Sequence, residues 1–206
     1  MISIKNDRAL AIMAEAGQRL AKVFVEIAPY VSTGISTLEL DALVEQKMQA
    51  EKLLPVCKGV PGYRHATCIS VNSGVVHGVP SEKVVLKNGD LVKLDVVGGF
   101  QGYCVDMARS FFIGEPSAAA QNLVAIAQKA LDRGIELAYP GKHLSDISAR
   151  IQEEVEKGGY GVVRCFAGHG IGKKLHEDPE IPNYGKPGKG PILKVGMVLA
   201  IEPMIT

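Results

Sequence analysis

Tryptophan is absent from this 206-residue chain and only 5% of it is aromatic, so its 47% hydrophobic content is overwhelmingly aliphatic. Neither charge is in excess. The 23 Lys and Arg against 22 Asp and Glu leave a formal net charge of +1, mixed along the chain. Such a balance lacks the basic footprint of a nucleic-acid binder or of a protein drawn to anionic membranes. No stretch reaches the ~18–20 uninterrupted apolar residues that span a bilayer. The opening Met1-Ile-Ser-Ile-Lys-Asn-Asp7 lacks the basic leader and apolar run of a secretory signal, so none is expected. The four cysteines, Cys57, Cys68, Cys104 and Cys165, make neither a CxxC pair nor a dense framework, which predicts reduced thiols and a cytoplasmic location. Low-complexity tracts are missing too, although residues 185–191 (GKPGKGP) predict an exposed loop.

What is present is an alternation of helical and extended patterns. Leu10, Met13, Leu20, Phe24 and Ile27 recur at helical spacing and predict a helix over 8–29. A second helix starts at Ser36, where Ser-Thr-Leu-Glu is a capping box, and runs to about Lys52. Residues 66–72, 84–86, 91–97 and 103–113 predict strands, rich in Val, Ile and Phe. Ser117 opens a helix over 118–138. A further helix follows Ser145 and ends at Gly158-Gly159, and extended stretches at 162–167 and 196–205 close the chain.

A weak internal repeat links these elements. Leu86-Lys87-Asn-Gly89-Asp-Leu91-Val-Lys-Leu-Asp95 resembles Leu193-Lys194-Val-Gly196-Met-Val198-Leu-Ala-Ile-Glu202 at a constant shift of 107 residues, which also lays Gly34 on Gly141 and the second helix on the fourth. Each copy thus delivers one acidic residue at the same strand position. The predicted halves are about 1–115 and 116–206.

Asp95 and Asp106 flank a segment with Gly98, Gly99 and Gly102 in its middle, which predicts a hairpin. A turn centred on Phe100–Gln101 would set the two aspartates directly opposite, ~4.5–5.5 Å apart at Cβ, where like charges repel. A hard divalent cation between them would convert repulsion into ligation. His169, between Gly168 and Gly170, has glycines that let backbone approach a site closely. With Glu202 on the repeat-equivalent strand it completes an Asp/Asp/His/Glu set. That set suits a hydrolytic site for one or two metals, and not a thiolate-rich structural zinc. His176 follows seven residues after His169, and His77 lies at the exit of a strand. His65 and His143 are read as surface histidines without partners.

These motifs resemble the type I methionine aminopeptidases of the pita-bread (creatinase-like) fold. The resemblance covers essentially the whole chain. It is carried by Cys-Ile-Ser-Val-Asn (68–72), Val-His-Gly-Val-Pro (76–80), Lys-Leu-Asp-Val (93–96), Asp-Met-Ala-Arg-Ser-Phe (106–111), Gly-His-Gly-Ile-Gly (168–172), Leu-His-Glu (175–177) and Ile-Glu-Pro-Met (201–204). The resemblance implies an α+β fold of two pseudo-symmetric helix-helix-strand halves, with an antiparallel sheet covered by helices on one face, forming a single catalytic domain over 1–206. It implies removal of the initiator methionine from nascent polypeptides with a small second residue.

In that reading Asp106, His169 and Glu202 hold the tighter of two divalent ions (Co, Mn, Fe or Zn). Asp95 chelates the second, and Asp106 bridges. A metal-bridging hydroxide attacks the carbonyl, Glu202 shuttles the proton, His176 hydrogen-bonds the carbonyl and His77 contacts the peptide beyond the bond. Cys57, Tyr63 and Cys68 map to the methionine pocket, where sulfur and an aromatic ring suit a thioether.

The resemblance further implies a cytoplasmic monomer that meets nascent N-termini near the ribosome, with no sequence-specific nucleic-acid partner and no membrane partner. Leu175 stands where the family usually has phenylalanine, and Val60 where it often has an aromatic. The family's fifth ligand is a glutamate on a strand returning after Ile-Glu-Pro-Met, whereas this sequence ends at Thr206. From this we expect a fragment whose second half lacks its return strand, with 196–205 as an unpaired edge. Only the tighter metal would then bind, and activity would be low. An X-Pro aminopeptidase or a non-catalytic binding protein of the same fold are the rival readings.

Overall fold

The capping box forms as its residues require. Ser36 Oγ accepts from the Glu39 amide at 3.2 Å, and the Glu39 carboxylate accepts from the Ser36 amide at 2.8 Å. In the computed structural model, which describes residues 1–206, helix α2 (Thr37–Ala50) starts at this cap. The preceding helix α1 (Asp7–Ile27) continues into a short 3₁₀ turn, Ala28–Tyr30. Strands β1 (Leu54–Pro55), β2 (Thr67–Val71), β3 (Leu91–Phe100) and β4 (Tyr103–Phe112) follow. Beyond them come α3 (Ala118–Ile135), α4 (Leu144–Lys157), β5 (Ala167–Gly170), β6 (Glu177–Pro182) and β7 (Leu199–Ala200). None of the helices is long and apolar enough to cross a membrane.

The chain forms two compact units, one of Arg8–Ser117 and one of Met1–Asp7 with Ala118–Thr206. In the first unit β3 is the hub, antiparallel to β1, β2 and β4. Its alternation decides the core. Val92, Leu94 and Val96 point one way, onto Leu20, Val23, Phe24 and Ile27 of α1 and Leu40, Val44 and Met48 of α2, all buried. Asp95 lies on the opposite face. Asp41 of α2 pins that helix to the sheet, accepting from the Thr67 amide at 2.9 Å and the Thr67 hydroxyl at 2.7 Å. In the second unit β5 lies between β6 and β7, all antiparallel. Ile147, Ile151 and Val155 of α4 join Ala130, Ile181 and Leu193 in its core.

Local geometry recurs at the shift of 107 residues. Gly34 and Gly141 have φ of +95° and +94°, which glycine adopts without strain. Their amides donate to Leu86 O at 2.9 Å and Leu193 O at 3.0 Å, respectively. The bridge Ser36–Val85 recurs as His143–Ile192.

The structure corrects several expectations. Residues 84–86 form no strand; Leu86 instead bonds to Gly34 and Ile35, leaving a single bridge at Val85. The third helix ends at Ile135. The fourth starts at Leu144, one residue before Ser145, with the His143 amide donating to Asp146 at 2.9 Å. Ser145 bonds to Lys189 instead, both as donor and as acceptor, at 2.7 Å.

Residues 162–167 reach extended pairing only at Val162, which bridges Ile205, and at Ala167, where β5 begins. In the 196–205 stretch Leu199 and Ala200 pair with Gly170 and His169, and β7 is an edge strand of its sheet. His65 and His143 have partners: His65 Nδ1 lies 3.3 Å from Asp41 Oδ2, and His143 Nδ1 lies 3.0 Å from Gly190 O. The loop 185–190 is exposed as expected.

Candidate metal centre

The β3–β4 hairpin turns at Gln101–Gly102, with φ of +47° and +82°. Two consecutive left-handed residues match the sheet's twist, and Gly102 takes the second position at no steric cost. The turn therefore sits one residue later than expected, and the register moves with it. Asp95 pairs with Ala108, and Asp106 with Val97, so the aspartates do not face each other directly. They remain on one face as diagonal neighbours, a spacing of ~7–8 Å between backbones that side chains still bridge.

That face also carries a sulfur cluster. Cys68 pairs with Asp95 on the other side of β3. The single hydroxyl proton of Tyr63 is shared between Thr67 O at 2.7 Å and Cys68 Sγ at 3.5 Å. A hydrogen bond from Cys57 and one from Tyr63, with the His77 ring nearby, hold the Cys68 thiol down to about 6 despite its burial. The Cys57 thiol is driven up by that same bond and by burial, and burial raises Tyr63. His77 follows β2 in a left-handed conformation, φ +58°. None of the four cysteines is in a disulfide.

In the second unit the backbone crowds around one histidine. A Cβ at Gly168 would lie 2.3 Å from Ala200 O, and one at Gly170 would lie 2.1 Å from Asp178 O, so neither position takes a side chain. His169 between them is 6% exposed. Its Nδ1 lies 2.8 Å from Gly170 O, and a carbonyl only accepts, so Nδ1 carries the proton. Nε2 faces Glu202 Oε1 at 3.2 Å. That contact is not aligned as an N–H···O bond, and Glu202 Oε1 is buried with no hydrogen-bond donor. A buried carboxylate oxygen without a partner is costly. The His176 ring meets the His169 ring edge-on, with centroids 4.5 Å apart. Both open on a cavity of about 460 Å³ that extends to Arg164, Phe166 and Tyr184. A larger hollow, about 550 Å³, lies along α4 among mixed charges such as Lys142, Asp146, Arg150 and Glu153, and contains none of these histidines.

The predicted residues thus gather by unit. Asp95, Asp106, Cys57, Tyr63, Cys68 and His77 belong to the first, and His169, His176 and Glu202 to the second. Asp41, Lys5 and Glu177 escaped the sequence reading. Glu177 stood inside the Leu-His-Glu motif, but Lys5 and Asp41 had no local signal.

A buried histidine nitrogen converging on a partnerless carboxylate oxygen suits a metal ion, and comparison with known proteins narrows the class. The model of metallopeptidase family M24 matches residues 11–206. The chain is 45% identical to methionine aminopeptidase from Clostridium acetobutylicum, over 100% of this chain and 82% of that protein. The solved methionine aminopeptidase from Thermotoga maritima superposes with a TM-score of 0.97 at 41% identity, covering 100% of this chain and 82% of that one. The X-Pro aminopeptidase from the same organism gives 0.81 at 25% identity, over 97% of this chain and 54% of that one. The chain belongs to metallopeptidase family M24 and, within it, to the methionine aminopeptidases of the pita-bread fold. Membership of the family implies divalent metal.

Proposed function

We propose that this chain removes the initiator methionine from nascent polypeptides with a small second residue, with divalent metal held by Asp95, Asp106, His169 and Glu202. One observation carries the reading. The buried, partnerless Glu202 Oε1 and the lone pair of His169 Nε2 converge at 3.2 Å, which a cation resolves and a hydrogen bond does not. Carboxylate and imidazole donors suit Mn²⁺, Fe²⁺, Co²⁺ or Zn²⁺. In this reading Asp106, His169 and Glu202 make the tighter site and Asp95 supplies a second.

Such ions, when bound, polarise the scissile carbonyl and lower the pKa of attacking water. The chain's own groups do the rest. Glu202 takes the proton released by water and passes it to the departing amine. His176 donates to the carbonyl oxygen as negative charge develops there. His77 contacts the peptide beyond the bond, and Cys57, Tyr63 and Cys68 receive the methionine thioether. The substrates are polypeptide N-termini, met in the cytoplasm beside the ribosome.

The test is hydrolysis of Met-Ala-Ser, Met-Leu-Ser and Ala-Pro-Ser peptides by the Mn²⁺-loaded chain, with Mn²⁺ calorimetry on the wild type and on Glu202→Gln. The proposal requires cleavage of Met-Ala-Ser alone and weaker Mn²⁺ binding by the variant. Preference for Ala-Pro-Ser, or unchanged Mn²⁺ binding by Glu202→Gln, overturns it.

A further inference from the structure

The segment that presents His176, residues 171–176, has no regular structure between β5 and β6. Its fixing point is the next residue. Glu177 Oε1 accepts from the Lys174 amide at 3.1 Å, closing the turn that Gly172 opens by donating to Lys174 O at 3.1 Å. Glu177 Oε2 accepts from Lys5 Nζ at 2.9 Å. The side chains of this ion pair are only 4% and 14% exposed, for Lys5 and Glu177 respectively.

The pair is built in tightly. A Cβ at Gly172 would lie 2.6 Å from Lys5 Cε and 2.7 Å from Glu177 Oε1, so the turn rests directly on the two charges. The Lys5 backbone is held in turn: its amide donates to Gly196 O at 2.8 Å, and a Cβ at Gly196 would lie 2.6 Å from Lys5 O. On the other side, Glu177 pairs with Gly170, immediately after His169 and next to an irregularity in the strand register.

The geometry points to Lys5 as a positioning residue: through Glu177, it fixes the backbone that aims the His176 ring. The inference rests on the reading of His176 as the donor to the substrate carbonyl. A buried ion pair loses more in desolvation than an exposed one, and removing one partner leaves the other charge buried and uncompensated. Without Lys5, the Glu177 carboxylate turns toward water and releases the 172–174 turn. The bond from His176 to the carbonyl strengthens as charge develops, so its misplacement lowers kcat and spares KM.

The experiment uses the full chain, Mn²⁺-loaded, with Met-Ala-Ser, comparing wild type, Lys5→Met, Lys5→Arg, Glu177→Gln, His176→Ala and the Lys5→Met/His176→Ala double variant. Lys5→Met is expected to lose on the order of 10- to 100-fold in kcat with KM nearly unchanged, as misplacement by about 1 Å does. Lys5→Arg restores most of the loss. The double variant is no slower than His176→Ala alone, because both changes remove one interaction.

A second readout needs neither metal nor turnover. In ¹⁵N-histidine-labelled metal-free protein, the His176 ring resonances shift in Lys5→Met and return in Lys5→Arg, while those of His65 and His143 stay. Effects that multiply in the double variant, an unchanged kcat, or unmoved His176 resonances overturn the inference. Should Lys5→Met fail to fold, Glu177→Gln and Lys5→Arg carry the same comparisons. A wild type that leaves Met-Ala-Ser uncut sinks the reading of function, and the resonances still decide the positioning role.

Discussion

Replacing Gly168 by alanine is a sharp test of how the backbone builds the histidine site. The added Cβ would lie 2.3 Å from Ala200 O, against at least 3.4 Å for ordinary contact, so β7 must retreat by 3.4 − 2.3 = 1.1 Å. Ala200 belongs to the ladder that pairs it with His169, two residues before Glu202. Overpacking of this kind costs ~1–3 kcal/mol. At ~2–4 °C per kcal/mol for a chain of this length, the melting temperature falls by about 2–12 °C. The retreat also widens the 3.2 Å approach of His169 Nε2 to Glu202 Oε1, so Mn²⁺ raises the melting temperature less than in the wild type. Gly17→Ala is the internal control. Gly17 lies within α1 with open space where an alanine methyl would sit, and alanine there should add ~0.4–1 kcal/mol of stability. Melting curves followed by circular dichroism, with and without Mn²⁺, read both variants. If Gly168→Ala melts and responds to Mn²⁺ as the wild type does, the close approach of β5 and β7 does not shape the site.

Two further predictions concern titrating groups. In metal-free protein, alkylation of Cys68 by iodoacetamide, mapped by mass spectrometry to separate it from exposed Cys165, should rise through pH of about 6. Tyr63→Phe removes a bond to the thiolate and moves that inflection up; an inflection near the ordinary 9.0 in the wild type would refute the Cys57–Cys68–Tyr63 cluster. Asp146 is held below its ordinary 3.8, first by the Gly188 amide at 2.7 Å and also by the His143 amide at 2.9 Å. Because the folded value is depressed, its stabilisation is complete above the unfolded value and fades as pH falls through the folded one. Urea unfolding should show a gap between wild type and Asp146→Asn that is constant from about pH 7 to about pH 5 and narrows at lower pH; a gap independent of pH throughout would contradict the linkage.

Much of this protein was written in short stretches of sequence. The box at Ser36 and Glu39 closes over three residues, and the apolar spacing of α1 needs only its own turns. The motifs around Asp95, Asp106, His169 and Glu202 were legible for the same reason, since each is a local run. The repeat of Gly34 as Gly141 was legible as well, because one backbone geometry twice selects the same residue. Strand pairing was harder. The hairpin register depended on whether the two turn residues were Phe100–Gln101 or Gln101–Gly102, and that single step moved Asp95 from Asp106 to Ala108. Strand β6 was hidden by its prolines, Pro179 and Pro182, which argue against a strand until β5 supplies a partner. The remaining facts join residues far apart in sequence: His65 to Asp41, Lys5 to Glu177, His169 to Glu202. No periodicity or spacing encodes such pairs. They exist only once burial has excluded water and left each charged or lone-pair-bearing group to the neighbour that folding brings to it.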